Sequence, residues 1–232
     1  DLFVFISKYT LKTSLINTIS NRSRIINPGI DKSKWFYEYS AFDRSILKSL
    51  KGKSYLVFAG RNLKSRKGFE FIYKTFLYLE ENSLITHDIY LVIPGIFSAN
   101  TIKKTKEIID VFKFLKIIIP GFISQRDMRI LYSNSILNLL PAKPSLTNYE
   151  GYGLVHLEAG ACGTPTVGCY ESGNEDACSF KGSYLINYGD TKELAQLILK
   201  AIKSDLQIPN SKDIRSDNQF QLEIEKYFFF LN

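Results

Sequence analysis

At 232 residues, 45% hydrophobic and 23% charged, the chain has the composition of an ordinary globular protein with room for one large domain. No apolar run reaches the ~18 residues a membrane span needs, and no basic segment leading into an apolar one marks a signal peptide. The net charge of +7 suits an anionic partner, but the basic residues are dispersed. Without an arginine-rich stripe interleaved with aromatics, they fit a phosphorylated ligand or peripheral contact with an anionic membrane better than nucleic acid.

In chain order, residues 2–6 read as a buried strand ending at Ser7, and 25–31 as a strand end followed by a turn, Asn27-Pro28-Gly29-Ile30-Asp31. From residue 55 onward, short apolar runs alternate with helical patterns. A strand at 55–59 is followed by Gly60-Arg61, a basic loop and a helix over 69–81. A strand at 89–93 closes on Pro94-Gly95, and a lysine-rich helix spans 99–112. A strand at 117–119 closes on Pro120-Gly121. Ser124 caps a helix over 125–134, and a strand follows at 136–140. Beyond it come a helix from about 153 to 161, strands at 166–170 and 184–187, a helix over 192–203 capped by Asp190, and a last helix over 219–231. This alternation predicts an α/β chain with a doubly wound, Rossmann-like parallel sheet. Such sheets take ligands outside the carboxyl ends of their strands. Arg61, Gly121, Glu150 and Gly173 each follow a strand.

Cys162, Cys169 and Cys178 have neither CxxC spacing nor histidines at zinc spacing. Buried free thiols in a reducing cytoplasm are the expectation.

The most informative stretch is Glu150-Gly151-Tyr152-Gly153-Leu154-Val155-His156-Leu157-Glu158, followed by the small residues of 159–165. A helix starting near Gly153 turns its free N–H groups and positive dipole end toward the preceding loop, a ready seat for phosphate. Glu150 falls in the loop and Glu158 about a turn and a half into the helix. Two carboxylates so separated are no acid/base pair. They suit gripping two distant groups of one long ligand, with phosphates between them.

This pattern, with Gly163 and Pro165 behind it, resembles the donor-site signature of retaining glycosyltransferases of the GT-B fold, family 4. Gly60-Arg61 and Lys67-Gly68 match the residues that hold the donor diphosphate in that family, with a loop about one residue longer than usual and Arg66 competing with Lys67 for the role. The resemblance implies that Glu150, Arg61 and Lys67 serve catalysis. Glu150 meets the donor sugar and the two cations meet the diphosphate. It implies further that Glu158 binds the ribose, that Gly60 and Gly151, Tyr152, Gly153, Leu154 and Val155 line the donor site, and that Gly121, Phe122 and Ile123 line the base pocket. Gly173 and Asn174 resemble the family's glycine-rich loop before an acidic residue. His156 varies in type within the signature and His87 sits in a loop; neither is assigned a role.

The expected partners are a nucleotide-diphosphate sugar, which is substrate rather than cofactor, and a glycan, lipid or protein acceptor. No cofactor and no metal are expected. Residues 1–50 correspond to the tail of an N-terminal domain and its linker, 51–204 to the donor-binding domain, and 205–232 to a linker and final helix. The resemblance thus implies that about half of a two-domain enzyme lies outside this sequence, which the absent initiator Met also suggests. The alternative is a non-catalytic nucleotide-sugar-binding module that works with a separate acceptor-binding chain.

Overall fold

The structure, a computed structural model, describes residues 3–14, 22–40, 45–60 and 65–228. At the start, β1 (Phe3–Phe5) pairs in parallel with β2 (Ser23–Ile25). Between them lies a helix the sequence pattern did not announce, α1 (Lys8–Thr13). It carries no apolar stripe, and its cap starts it: the Ser7 hydroxyl accepts from Thr10 N–H at 3.0 Å while the Thr10 hydroxyl accepts from Ser7 N–H at 3.0 Å.

After a short α2 (Ser45–Lys48) comes the main layer. Its strands are β3 (Tyr55–Phe58), β4 (Ile89–Val92), β5 (Leu115–Ile118), β6 (Leu137–Leu139), β7 (Thr166–Cys169) and β8 (Ser183–Ile186). They form one parallel sheet in the order β5-β4-β3-β6-β7-β8. The predicted doubly wound α/β fold is therefore the observed one. Its strand order reverses between β3 and β6, and ligands of open α/β sheets bind at such a switch point.

Helices cover both faces, as buried parallel strands require. On one face lies α3 (Phe69–Glu81), which turns Phe69, Ile72, Phe76 and Leu79 inward at helical spacing. Each such burial contributes ~1.5–3 kcal/mol. Beside it packs α8 (Thr191–Ile202), started by the Asp190 carboxylate accepting from Glu193 N–H at 2.9 Å. The other face gathers Leu47, Tyr55, Val57, Ile130, Leu131 and Ala159. It draws on α5 (Gln125–Ser133), capped by Ser124 as expected, and α6 (Leu154–Ala161). A four-residue α7 (Asn174–Ala177) and α9 (Asp217–Phe228) follow in the second half of the chain. The segment before α9 returns to the start of the chain: Ile30 N–H donates to the Arg215 carbonyl at 3.1 Å, and Asp217 N–H to the Ile30 carbonyl at 3.0 Å.

Three boundaries differ from the sequence expectation by two residues or more. β5 begins two residues early because the Glu80 carboxylate accepts from the N–H groups of Lys113, Phe114 and Leu115 at 2.8, 2.7 and 3.1 Å, which fixes the strand's entry. The lysine-rich α4 spans only Ala99–Ile109, since Phe112 leaves the helix to pack edge-on against Tyr73 at 5.3 Å. α9 starts two residues early, where the Ser216 hydroxyl accepts from Gln219 N–H at 3.3 Å. All three cysteines are buried and free. Burial pushes the Cys162 and Cys169 thiols up to about 12, so they are inert packing groups.

Candidate functional site

Two segments meet at the switch point. One follows β3 and ends in a 3₁₀ turn, Ser65–Lys67, before α3. The other follows β6 and runs from Pro141 to Gly153. Backbone and side chain stitch them together: Lys143 N–H donates to the Arg66 carbonyl at 2.9 Å, and Arg66 Nη1 donates to the Tyr149 carbonyl at 2.8 Å. This stitching delivers the Lys67 ammonium onto the Glu150 carboxylate as a hydrogen-bonded ion pair, with Arg66 Nη1 3.9 Å from the same oxygen. The Lys67 and Glu150 side chains are only 17% and 12% exposed.

The loop carrying Glu150 rests on Gly173. Gly173 N–H donates to the Glu150 carbonyl at 2.9 Å, and a Cβ on Gly173 would lie 2.2 Å from the Gly151 carbonyl carbon. Tyr152 turns inward among Ile30, Leu157, Phe180 and Ile214. Gly153 is the N-cap of α6 at φ 96°, a conformation that favours glycine. It offers no side chain to the helix N-terminus, so the first-turn N–H groups of α6 face the loop uncapped by any side chain.

From the opposite side α1 closes onto the same loop. The Tyr9 hydroxyl donates to the Ser145 carbonyl at 3.0 Å and accepts from Ser145 N–H at 3.2 Å, and its ring meets Tyr149 edge-on at 5.3 Å. Lys8 N–H donates to the Asp176 carboxylate at 2.6 Å.

Of the residues singled out in the sequence, Lys67, Glu150, Gly151, Gly153 and Leu154 come together here. Leu154 is exposed at the helix start, Val155 is half-buried, and Glu158 is partly exposed within α6. Gly60 is buried just beyond β3. Arg61 lies outside the described residues. Gly121, Phe122 and Ile123 follow β5, at the same carboxyl end of the sheet but two strands from β3. Gly95 N–H donates to the Gly121 carbonyl at 3.0 Å, Phe122 is 68% exposed, and Ile123 is in the core. His87 is exposed, away from these contacts. No three His, Cys, Asp or Glu side chains among the described residues are grouped to hold a metal.

Sequence reasoning passed over three residues. Tyr9 left no signal, because its partner lies 136 residues away. His156 is fully buried, with Nδ1 2.6 Å from the Thr166 hydroxyl. Burial first, and then the Lys67 ammonium, push its pKa down to about 3, so the ring is neutral. Asn174, noted only as part of a loop, is also fully buried, and its Oδ1 accepts from Cys169 N–H at 3.3 Å.

Residues 40–219 match the profile of the family described as Glycosyl transferases group 1. The chain belongs to this family. Solved structures agree on the fold. A Rickettsia africae glycosyltransferase superposes over 100% of this chain and 64% of its own, with TM-score 0.72 and 16% identity. Sucrose-phosphate synthase from Thermosynechococcus elongatus covers 98% of this chain and 57% of its own, with TM-score 0.69 and 16% identity. Anabaena HepE, solved in complex with UDP-glucose, covers 98% and 59%, with TM-score 0.64 and 17% identity. The chain therefore shares the GT-B fold and spans roughly three fifths of the length of these structures. No curated protein matches it. No described helix is long and apolar enough to cross a membrane.

Proposed function

We propose that this chain is the donor-binding part of a retaining, metal-independent glycosyltransferase that moves a hexose from a nucleotide-diphosphate sugar to a glycan, lipid or protein acceptor. The observation that carries this reading is the meeting of Lys67 and Glu150 at the switch point, beside the N-terminus of α6. A diphosphate leaving group gains negative charge as its bond to the sugar's anomeric carbon breaks. A fixed ammonium and preorganised N–H groups stabilise that charge. Lys67 and Arg61 supply the cations in this assignment, and Leu154 and Val155 the N–H groups. Glu150 accepts from sugar hydroxyls, and Glu158, further along α6, from the ribose. Gly121 to Ile123 line the base pocket. The acceptor oxygen forms the new bond to the anomeric carbon, and its proton passes to the departing diphosphate.

The proposed organisation assigns 1–50 to the tail of an acceptor-side domain and its linker, 51–204 to the donor domain, and 205–232 to the closing segment. HepE's complex with UDP-glucose supports a nucleotide-sugar ligand for this chain. Calorimetric titration with UDP, GDP and ADP, then with their sugar conjugates, tests the assignment. Micromolar to millimolar binding of one nucleotide, tightened or altered by its sugar, is expected. No heat with any of the three would defeat it. Holding two reactants together contributes ~7–11 kcal/mol to lowering a barrier. Transfer by residues 1–232 alone should therefore be orders of magnitude slower than by a protein that also holds the acceptor.

A further inference from the structure

Beneath the N-cap of α6, two polar nitrogens have no hydrogen-bond partner: His156 Nε2 and Asn174 Nδ2, both on fully buried side chains. Native proteins leave few such groups, and each calls for a physical reason, a bound ion or ligand among them. Both lie close to one point. A Cβ on Gly153 would lie 2.8 Å from Asn174 Nδ2 and 3.4 Å from His156 Nε2, so the side-chain-free N-cap is what stands over them.

Their hydrogen-bonding character follows from the surrounding network. Asn174 Oδ1 is engaged by Cys169 N–H, which leaves the amide's N–H₂ as the free end. Thr166 Oγ accepts from Asn138 Nδ2 at 2.9 Å and has a single proton to give. Its nearest acceptor is His156 Nδ1 at 2.6 Å; the Asn138 carbonyl is 3.4 Å away. With Nδ1 accepting, the neutral ring carries its own proton on Nε2. Both unpartnered groups are then donors, and they converge on the end of α6 where the first-turn N–H groups already favour negative charge.

We propose that His156 and Asn174 form a neutral two-donor seat for an oxygen of the donor's distal phosphate, engaged when the Gly151–Gly153 segment shifts on binding. A phosphoryl oxygen accepts several hydrogen bonds and brings no proton of its own, which matches a site made only of donors. A sugar hydroxyl must also donate, and neither nitrogen can accept. Thr166 and Asn138 act through His156 by holding its tautomer. The inference rests on the donor-site reading above and names which buried groups complete it.

The experiment combines binding with spectroscopy on residues 1–232. With His87→Asn, His156 is the only histidine. Long-range ¹H–¹⁵N spectra should show a protonated Nε2 and a bare Nδ1. That Nε2–H signal should move on adding inorganic pyrophosphate or the nucleoside diphosphate that binds in calorimetry, and should not move with the matching nucleoside. Asn174→Asp, which keeps the acceptor toward Cys169 and replaces the free donors with a carboxylate, should weaken diphosphate binding roughly tenfold or more and leave nucleoside binding unchanged. If the nucleotide binds yet the His156 signal stays still, or moves only when the sugar is attached, the seat is wrong and the donor site stands. A wild-type protein that binds no nucleotide or pyrophosphate overturns both. Should Asn174→Asp fail to fold, the spectra of the folded protein decide alone.

Discussion

The Lys67 ammonium is paired with the Glu150 carboxylate across 83 residues of sequence. In the proposed function these groups face different parts of one donor, the diphosphate and the sugar. Here each satisfies the other in a nearly dry place. A diphosphate that attracts Lys67 loosens its hold on Glu150 and frees the carboxylate for sugar hydroxyls. Glu150→Gln should therefore bind nucleoside diphosphate as well as or better than the wild type, and lose the increment that the sugar adds. Calorimetry with the nucleotide and its sugar conjugate measures both. Equal weakening of the two ligands would contradict this coupling.

The same pair governs stability. Removing one member strands a mostly buried charge at a cost of roughly 1–3 kcal/mol. Lys67→Met and Glu150→Gln should each lower the urea midpoint, whereas the double variant should recover much of the loss. Strictly additive losses in this cycle would mean the two side chains are not coupled.

Glu158→Ala should weaken nucleoside and nucleotide alike, if Glu158 holds the ribose. Lys67→Ala should matter only when phosphates are present. Each charge-assisted contact is worth ~1.5–3 kcal/mol, about ten- to a hundredfold in affinity. Titrating each variant with nucleoside and with nucleoside diphosphate separates the roles; a Lys67→Ala loss seen equally with the nucleoside would refute the division.

Gly173→Ala should be severe, because its Cβ would meet the backbone of Gly151 and Tyr152 at 2.2–2.5 Å. The Glu150 loop must lift, so donor binding should be lost along with ~2 kcal/mol or more of stability. Gly189→Ala is the contrast: its φ of 94° strains an alanine, yet nothing lies within 4 Å. It should cost roughly 1 kcal/mol and spare binding. Thermal melts and calorimetry on the two variants test this.

His156 makes stability pH-dependent with a definite sign. Its pKa falls from 6.5 in the unfolded chain to about 3 in the fold, because burial excludes the charged ring. Below 6.5 the unfolded chain takes up a proton that the folded one refuses. Stability from this group is complete above that value and drains as pH falls toward 3, with a slope approaching ~1.4 kcal/mol per pH unit. Thr166 bonds the ring at Nδ1, and the Lys67 ammonium acts on it and strengthens the effect. Urea midpoints at about pH 7 and about pH 5 should converge for His156→Gln relative to the wild type.

The sheet was legible because its strands are short apolar runs closed by turns. Tyr55–Phe58 is buried at all four positions and so shows no alternation to confuse with a surface strand. Caps at Ser124 and Asp190 were legible because the residue type carries the mechanism. The entry to β5 was misplaced because Glu80, more than thirty residues earlier, sets it. In the site, the signature exposed the Glu150 loop and the N-terminus of α6. Pairing of Lys67 with Glu150 was invisible, since it depends on how the Pro141–Gly153 segment crosses Gly68 and Arg66. His156 carried no assigned role; it is buried, and its bond to Thr166 and its place beneath Gly153 are set by the fold alone.

The Tyr9 hydroxyl and the Ser145 backbone exchange two hydrogen bonds, which ties the first helix of the chain to the loop that carries Glu150. Whatever strains the small β1–β2 layer thus acts on that carboxylate within a few residues. A tyrosine hydroxyl gripping a main-chain peptide holds at its bonding distance or lets go. Sliding of one layer over the other would register at the loop as a click, with Lys67 and Glu150 either gathered or released.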